Sequence, residues 1–120
     1  MTKIDYVMHK GRKILIMDAS GCTDIAENIR TLEQTEKMIL EEPPKSVLLL
    51  TNVSGLRYNN QLVDRLKQFS KTVSPRMRAS TVVGVEGIKK IIVQGIILLT
   101  GRKIEVHPTV EEAKDWLANQ

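Results

Sequence analysis

The sequence predicts an α/β domain with a mixed, mostly parallel sheet of about five strands, an N-terminal hairpin and about four helices. Two observations carry this prediction. Short runs rich in Ile, Val and Leu alternate with segments whose apolar residues recur at helical spacing. The first two runs have no helix between them, whereas the later ones do, which favours parallel pairing through right-handed crossovers. The chain has 120 residues, the size of one domain, so we expect residues 1–120 to form a single domain.

The hairpin is predicted by the runs Ile4–Met8 and Lys13–Asp18, which flank a polar turn containing Gly11. All four positions of the segment Ile14–Met17 are apolar. A strand with this pattern is buried on both of its faces. We therefore expect the second strand to be an inner one.

A helix and a central strand follow the hairpin. Thr23 or Asp24 can cap a helix that runs to about Leu40, and Pro43-Pro44 closes it. The segment Ser46–Thr51 contains the continuous apolar run Val47–Leu50. Such a run is typical of the middle of a parallel sheet.

The remaining elements alternate between helix and strand. They are a helix that begins at Asn59 or Asn60, a strand Ala79–Val85, a helix Glu86–Thr100, a strand Lys103–Val106 and a C-terminal helix that begins at Thr109. Thr109 and Glu112 stand at the spacing of a capping box.

Composition and motifs point away from catalysis and export. The net charge is +4, and a single cysteine excludes an internal disulfide and a multi-cysteine metal site. His9 and His107 lack the spacing of a metal pair, and no phosphate-binding or nucleophile motif is present. We expect no enzyme activity, no metal and no cofactor; the open enzymatic alternative is an acid–base pair such as Asp18 with Glu86.

Membrane and export signals are also missing. The chain contains no apolar segment of the roughly 18 residues that a membrane span needs. Its N-terminus lacks the apolar core of a signal peptide. We therefore expect a cytoplasmic protein that does not span a membrane.

Several segments together resemble the STAS-type fold, most closely its SpoIIAA-like subgroup. They are Pro43-Pro44, the strand that leads into Asn52-Val53-Ser54-Gly55, the strand Ala79–Val85, Gly101-Arg102 and the closing segment Ala113–Leu117. The resemblance covers nearly the whole chain. It implies the fold described above and says almost nothing about function.

One departure from the STAS pattern bears on regulation. STAS anti-sigma-factor antagonists carry a phosphorylated serine in an Asp-Ser-Ser-Gly-like stretch where the second helix begins. The corresponding segment here is Arg57–Gln61, in which Tyr58 is the only hydroxyl residue. A phosphorylation-switched antagonist is therefore the least favoured of our hypotheses, with Ser54 or Ser20 as its candidate residues.

Ligands of parallel sheets bind beyond the carboxyl ends of the strands. The sequence places polar residues there and in the loop that follows the central strand. The candidate ligand-binding residues are Asn52, Ser54, Arg57, Tyr58 and Asn59. In the structural alternative, Ser20, Ser54 and Asn59 only cap helices and turns.

The helix Glu86–Thr100 is apolar around most of its circumference. Such a helix has to be covered on more than one side. Self-association, a lipid-like ligand, or shielding by the C-terminal helix through Trp116 and Leu117 would each provide this cover. We expect a homodimer, and the candidate interface residues are Ile92, Ile96, Ile97 and Leu99.

Charge is unevenly distributed between two neighbouring helices. Residues 24–42 are mainly acidic and residues 57–78 mainly basic. Such surfaces would dock a partner of opposite charge or a second copy, unless they are simply solvated. Aromatic stacking residues and a known reading motif are absent from the basic segment, so we expect no nucleic-acid partner.

The sequence thus predicts a non-enzymatic, regulatory binding module that acts through protein–protein interaction, with another protein or with itself. The alternative is a domain that binds a small polar or lipid-like ligand in a pocket at the carboxyl ends of the strands.

Overall fold

The structure is a computed structural model that describes residues 2–120. Its elements are β1 (Lys3–His9), β2 (Arg12–Asp18), α1 (Ile25–Leu40), β3 (Val47–Asn52), α2 (Asn60–Val73), β4 (Met77–Val83), α3 (Ile88–Thr100), β5 (Ile104–His107) and α4 (Val110–Ala118). The predicted α/β layout of five strands and four helices is confirmed, with some element ends shifted by a residue or two. The largest shift is in β4, which begins at Met77 rather than Ala79 because Met77 already pairs with Val47 ahead of a bulge.

The five strands form one sheet in the order β1-β2-β3-β4-β5. The pair β1–β2 is antiparallel, and the other three pairs are parallel. Lys10 and Gly11 join the hairpin with positive φ angles of 50° and 78°. Positive φ at both central residues matches the right-handed twist of the flanking strands. The expected N-terminal hairpin is therefore present, with Gly11 in its turn.

The sheet is buried on both faces. Leu15, Leu49 and Phe69 belong to a cluster on the face covered by α1 and α2. Ile14 and Leu117 belong to a second cluster, on the face covered by α4. Neighbouring strand residues alternate between the two clusters because successive side chains point to opposite faces. The prediction that β2 is an inner strand with two buried faces is confirmed.

Three of the helices begin with a side-chain cap. The side chains of Asp24, Asn59 and Thr109 accept hydrogen bonds from the backbone N–H of the residue three positions later, at 3.2, 2.9 and 3.2 Å. Each bond satisfies one of the free N–H groups at a helix start. The helix α3 has no such cap, and Ile96 is its only buried residue. The candidate site lies under this helix.

Within residues 2–120, no helix is long and apolar enough to cross a membrane.

Candidate functional site

An apolar cavity lies between α2, α3 and the sheet, with a volume of about 90 Å³. Val63 and Leu66 line it from α2, and Ile92 and Ile96 line it from α3. Val53 closes it from the loop after β3, at the carboxyl end of the central strand. This is where an open parallel sheet binds ligands. Most of the groups that face it are aliphatic, not the polar groups that the sequence predicted.

Lys89 is the only charged residue among the described residues that line this cavity. It is half-buried, and its Nζ donates a hydrogen bond to the carbonyl oxygen of Val53 at 2.7 Å. No carboxylate of residues 2–120 forms an ion pair with it. An ammonium group has three N–H donors. Two donors therefore remain for other partners at the edge of the cavity.

Sequence reasoning did not single out Lys89. Its signal is spacing, because Ile92, Val93 and Ile96 follow it by three, four and seven residues. Residues at these intervals share one face of a helix. Lys89 therefore lies on the face of α3 that packs against the sheet, where it places an ammonium group beside aliphatic side chains.

Of the five predicted ligand-binding residues, Tyr58 lines the cavity and the other four do not. The Oδ1 atom of Asn52 accepts a hydrogen bond from the N–H of Ser54 at 3.1 Å. Asn59 caps α2 with its own Oδ1. Arg57 is exposed. Asn52 and Asn59 hold a turn and a helix start, and Ser54 and Arg57 lie outside the cavity, so Tyr58 is the one predicted residue that lines it. Ligand binding by the other four residues stays a prediction.

The loop after β3 is fixed by its backbone. Val53 N–H donates to the carbonyl oxygen of Val83 at 2.8 Å, and Gly21 N–H donates to that of Ser54 at 2.7 Å. Gly84 has a φ of +87°, and a methyl group placed on it would lie 2.5 Å from the nitrogen of Ser54. Only glycine fits this approach. The loop therefore forms a firm wall for the cavity.

The outer face of α3 is apolar and uncovered within the described chain. Ile88, Ile91, Leu98 and Leu99 are 63%, 68%, 86% and 47% exposed. Together with Gly95 they form a stripe along the helix, which we call the α3 outer stripe. Exposed apolar patches of this kind are typical of surfaces that contact another molecule.

The predicted interface residues divide between the two sides of α3. Ile96 is buried, so the prediction is wrong for this residue. Ile92 is half-buried and lines the cavity with it, and its role at an interface stays a prediction. Ile97 is half-buried, and Leu99 lies on the α3 outer stripe. Because α3 is apolar nearly all round, its sequence pattern contains no polar stripe that would show which side packs inward.

The suggested shielding of α3 by the C-terminal helix is also wrong. Leu117 and Trp116 pack with Ile14 and Leu48 in the cluster on the opposite face of the sheet. They therefore do not cover α3.

The acidic and basic helices lie side by side. Arg65 of α2 forms an ion pair with Glu36 of α1, with 2.9 Å between Nη2 and Oε2. Part of the charge asymmetry seen in the sequence is therefore satisfied inside the domain, which weakens the case for these two faces as a docking surface.

Other reactive side chains are engaged elsewhere. Burial raises the pKa of the Cys22 thiol, and the hydrogen bond that this thiol donates to Glu27 raises it further. Asp18 accepts a hydrogen bond from the hydroxyl of Ser20 at 2.6 Å, while Glu86 is exposed. His9 contacts Asp115 at 2.7 Å. These contacts stabilise turns and join the hairpin to α4.

Within residues 2–120, no three His, Cys, Asp or Glu side chains are grouped so that they could hold a metal ion. Compared with protein-family models and with curated proteins, the chain matches none.

Proposed function

We propose that this chain is a cytoplasmic, non-enzymatic STAS-like binding module that acts by pairing with a second copy through the α3 outer stripe. The observation that carries the proposal is the exposure of four large aliphatic side chains along one helix. The STAS assignment draws on the resemblance in sequence and on an N-terminal hairpin followed by parallel strands joined through helices.

Gly95 supports a helix–helix contact at this surface. It lies inside α3, where glycine costs about 1 kcal/mol relative to alanine. A Cβ atom placed on it would meet nothing within 4 Å, so packing inside the chain does not require a glycine. A glycine among exposed aliphatic side chains lets a second backbone approach the helix closely.

The arrangement of the stripe fits a second copy of the same chain. Large aliphatic residues stand at both ends, Ile88 and Ile91 at one and Leu98 and Leu99 at the other, with Gly95 between them. An antiparallel pair of α3 helices would place the ends of one stripe against the opposite ends of the other. This is the self-complementarity that a two-fold interface requires.

Leu98→Glu tests the proposal, with Met8→Glu as the matched control. Met8 is 69% exposed on the edge strand β1, far from α3 in sequence and in the sheet order. Analytical ultracentrifugation should give a dimer for the wild type and for Met8→Glu, and a folded monomer for Leu98→Glu. A dimeric Leu98→Glu protein would show that the stripe is not the interface.

The cavity under α3 favours ligand binding as a second candidate function. An apolar cavity at the ends of parallel strands, edged by an ammonium group without a carboxylate partner among residues 2–120, matches the general character of ligand sites. Methyl NMR spectra recorded with n-pentanol test it. Shifts of the Ile92 and Ile96 methyl signals would support binding, and unchanged signals at high n-pentanol concentration would contradict it.

A further inference from the structure

We infer that the cavity under α3 takes a short aliphatic carboxylic acid of about four to six carbons, whose carboxylate pairs with Lys89. This inference rests on the second candidate function, ligand binding in that cavity, and adds the chemical class of the ligand. It draws on three features of the site: the size of the cavity, its apolar lining and the single ammonium group at its edge.

The size of the cavity sets the length of the chain. An apolar cavity of about 150 Å³ holds a benzene molecule. The cavity under α3 measures about 90 Å³. On the benzene scale it accepts roughly three to five carbon atoms. A long fatty acyl chain would not fit unless α3 moved away from the sheet.

The lining excludes a polar body for the ligand. Val63, Leu66, Ile92 and Ile96 face the cavity from the two helices. They offer no hydrogen-bond partner to a sugar or a nucleotide base, and an unpaired polar group in such surroundings loses the hydrogen bonds it makes with water. Thr51 and Ser70 also belong to the lining, but most of it is aliphatic, so the part of the ligand that enters is mainly hydrocarbon.

Lys89 determines the head group. Its Nζ keeps one hydrogen bond with the carbonyl oxygen of Val53, which holds the ammonium group at the edge of the cavity. Its two remaining N–H donors match the two oxygens of a carboxylate, and charge-assisted hydrogen bonds of this kind are roughly twice as strong as neutral ones. Tyr58 belongs to the same lining and carries a phenolic hydroxyl, a second hydrogen-bond donor at the cavity.

The test compares acids with alcohols of equal length on the full chain. Isothermal titration calorimetry at neutral pH and constant ionic strength would use acetate, butyrate, pentanoate, hexanoate and octanoate, with n-pentanol as the uncharged match. Pentanoate should bind at least tenfold more tightly than n-pentanol, and affinity should peak between butyrate and hexanoate. Equal affinities for pentanoate and n-pentanol would overturn the role of the carboxylate, and tighter binding of octanoate would overturn the size limit.

Two lysine variants locate the charge. Lys89→Met keeps the length of the side chain and removes its charge, and Lys90→Met does the same for the exposed neighbour, which does not line the cavity. Pentanoate affinity should fall at least tenfold in Lys89→Met and stay unchanged in Lys90→Met, while n-pentanol affinity stays the same in both. An unchanged pentanoate affinity in folded Lys89→Met would overturn the assignment.

The outcomes distinguish a failure of the carboxylic-acid assignment from a failure of ligand binding itself. If neither pentanoate nor n-pentanol binds, ligand binding in the cavity fails, and the inference fails with it. If n-pentanol binds as well as pentanoate does, ligand binding stands and the acid assignment alone fails. The comparison between acid and alcohol uses the wild-type chain, so it holds even where a variant does not fold.

Discussion

Replacing Gly95 with alanine should change folding and dimerisation in opposite directions. A Cβ atom at this position meets nothing within 4 Å inside the chain, so the substitution causes no clash in the monomer. Alanine stabilises a helix interior by about 1 kcal/mol relative to glycine. For a domain of this size, that gain raises the melting temperature by roughly 4 °C.

The dimer should be weakened by the same methyl group. In an antiparallel pair the two Gly95 residues lie near the crossing point, and adding a methyl group to a close contact costs about 1–3 kcal/mol. The dissociation constant of the dimer should therefore rise by roughly 5- to 150-fold. Thermal unfolding followed by circular dichroism at high dilution measures the first effect, and sedimentation velocity over a concentration series measures the second.

Gly95→Ala should raise both the melting temperature of the monomer and the dissociation constant of the dimer. If Gly95→Ala stabilises the monomer but leaves the dissociation constant unchanged, Gly95 is not at the helix contact. If it destabilises the monomer, the space around Gly95 is not open.

Three further predictions concern stability and titration. Gly84→Ala should lower the free energy of unfolding in urea by about 2–4 kcal/mol, because of its positive φ and its contact with Ser54; a loss below about 1 kcal/mol would contradict this. Burial lowers the pKa of Arg102 to about 10, and its Nε and Nη1 have no hydrogen-bond partner within residues 2–120, so Arg102→Met should raise the free energy of unfolding by roughly 1–2 kcal/mol at neutral pH. A lower urea midpoint would show that Arg102 is stabilising. Partial burial raises the pKa of Tyr6 from 10.0 to about 12, so its contribution to stability is complete below pH 10 and is lost as the pH rises through about 12. Tyrosinate absorbance in a Tyr58→Phe background measures this pKa, and a midpoint near 10 would contradict it.

The sequence was sufficient for the elements whose pattern has one interpretation. Residues 14–17 are apolar at every position, which requires an inner strand, and β2 lies between β1 and β3. Thr109 and Glu112 stand at capping distance, and the predicted bond from the Glu112 N–H to the Thr109 side chain is present. In both cases a local rule and the global fold agree.

The site could be predicted only in part, because its residues have two uses that look alike in sequence. Asn52 and Asn59 are typical ligand donors and equally typical turn and cap residues, and the structure places both in the second role. On α3 the many isoleucines leave the inward direction undetermined. Lys89 on the inner side of α3 and Gly95 on its outer side indicate the inward direction, but only once the position of the sheet is known.

Native mass spectrometry of the wild-type chain, purified gently at micromolar concentration, tests the central claim most directly. Pairing through the α3 outer stripe predicts a species with twice the 13.5 kDa mass of the chain. That species should disappear in Leu98→Glu and persist in Met8→Glu. A wild-type protein that stays monomeric at micromolar concentration would contradict the account.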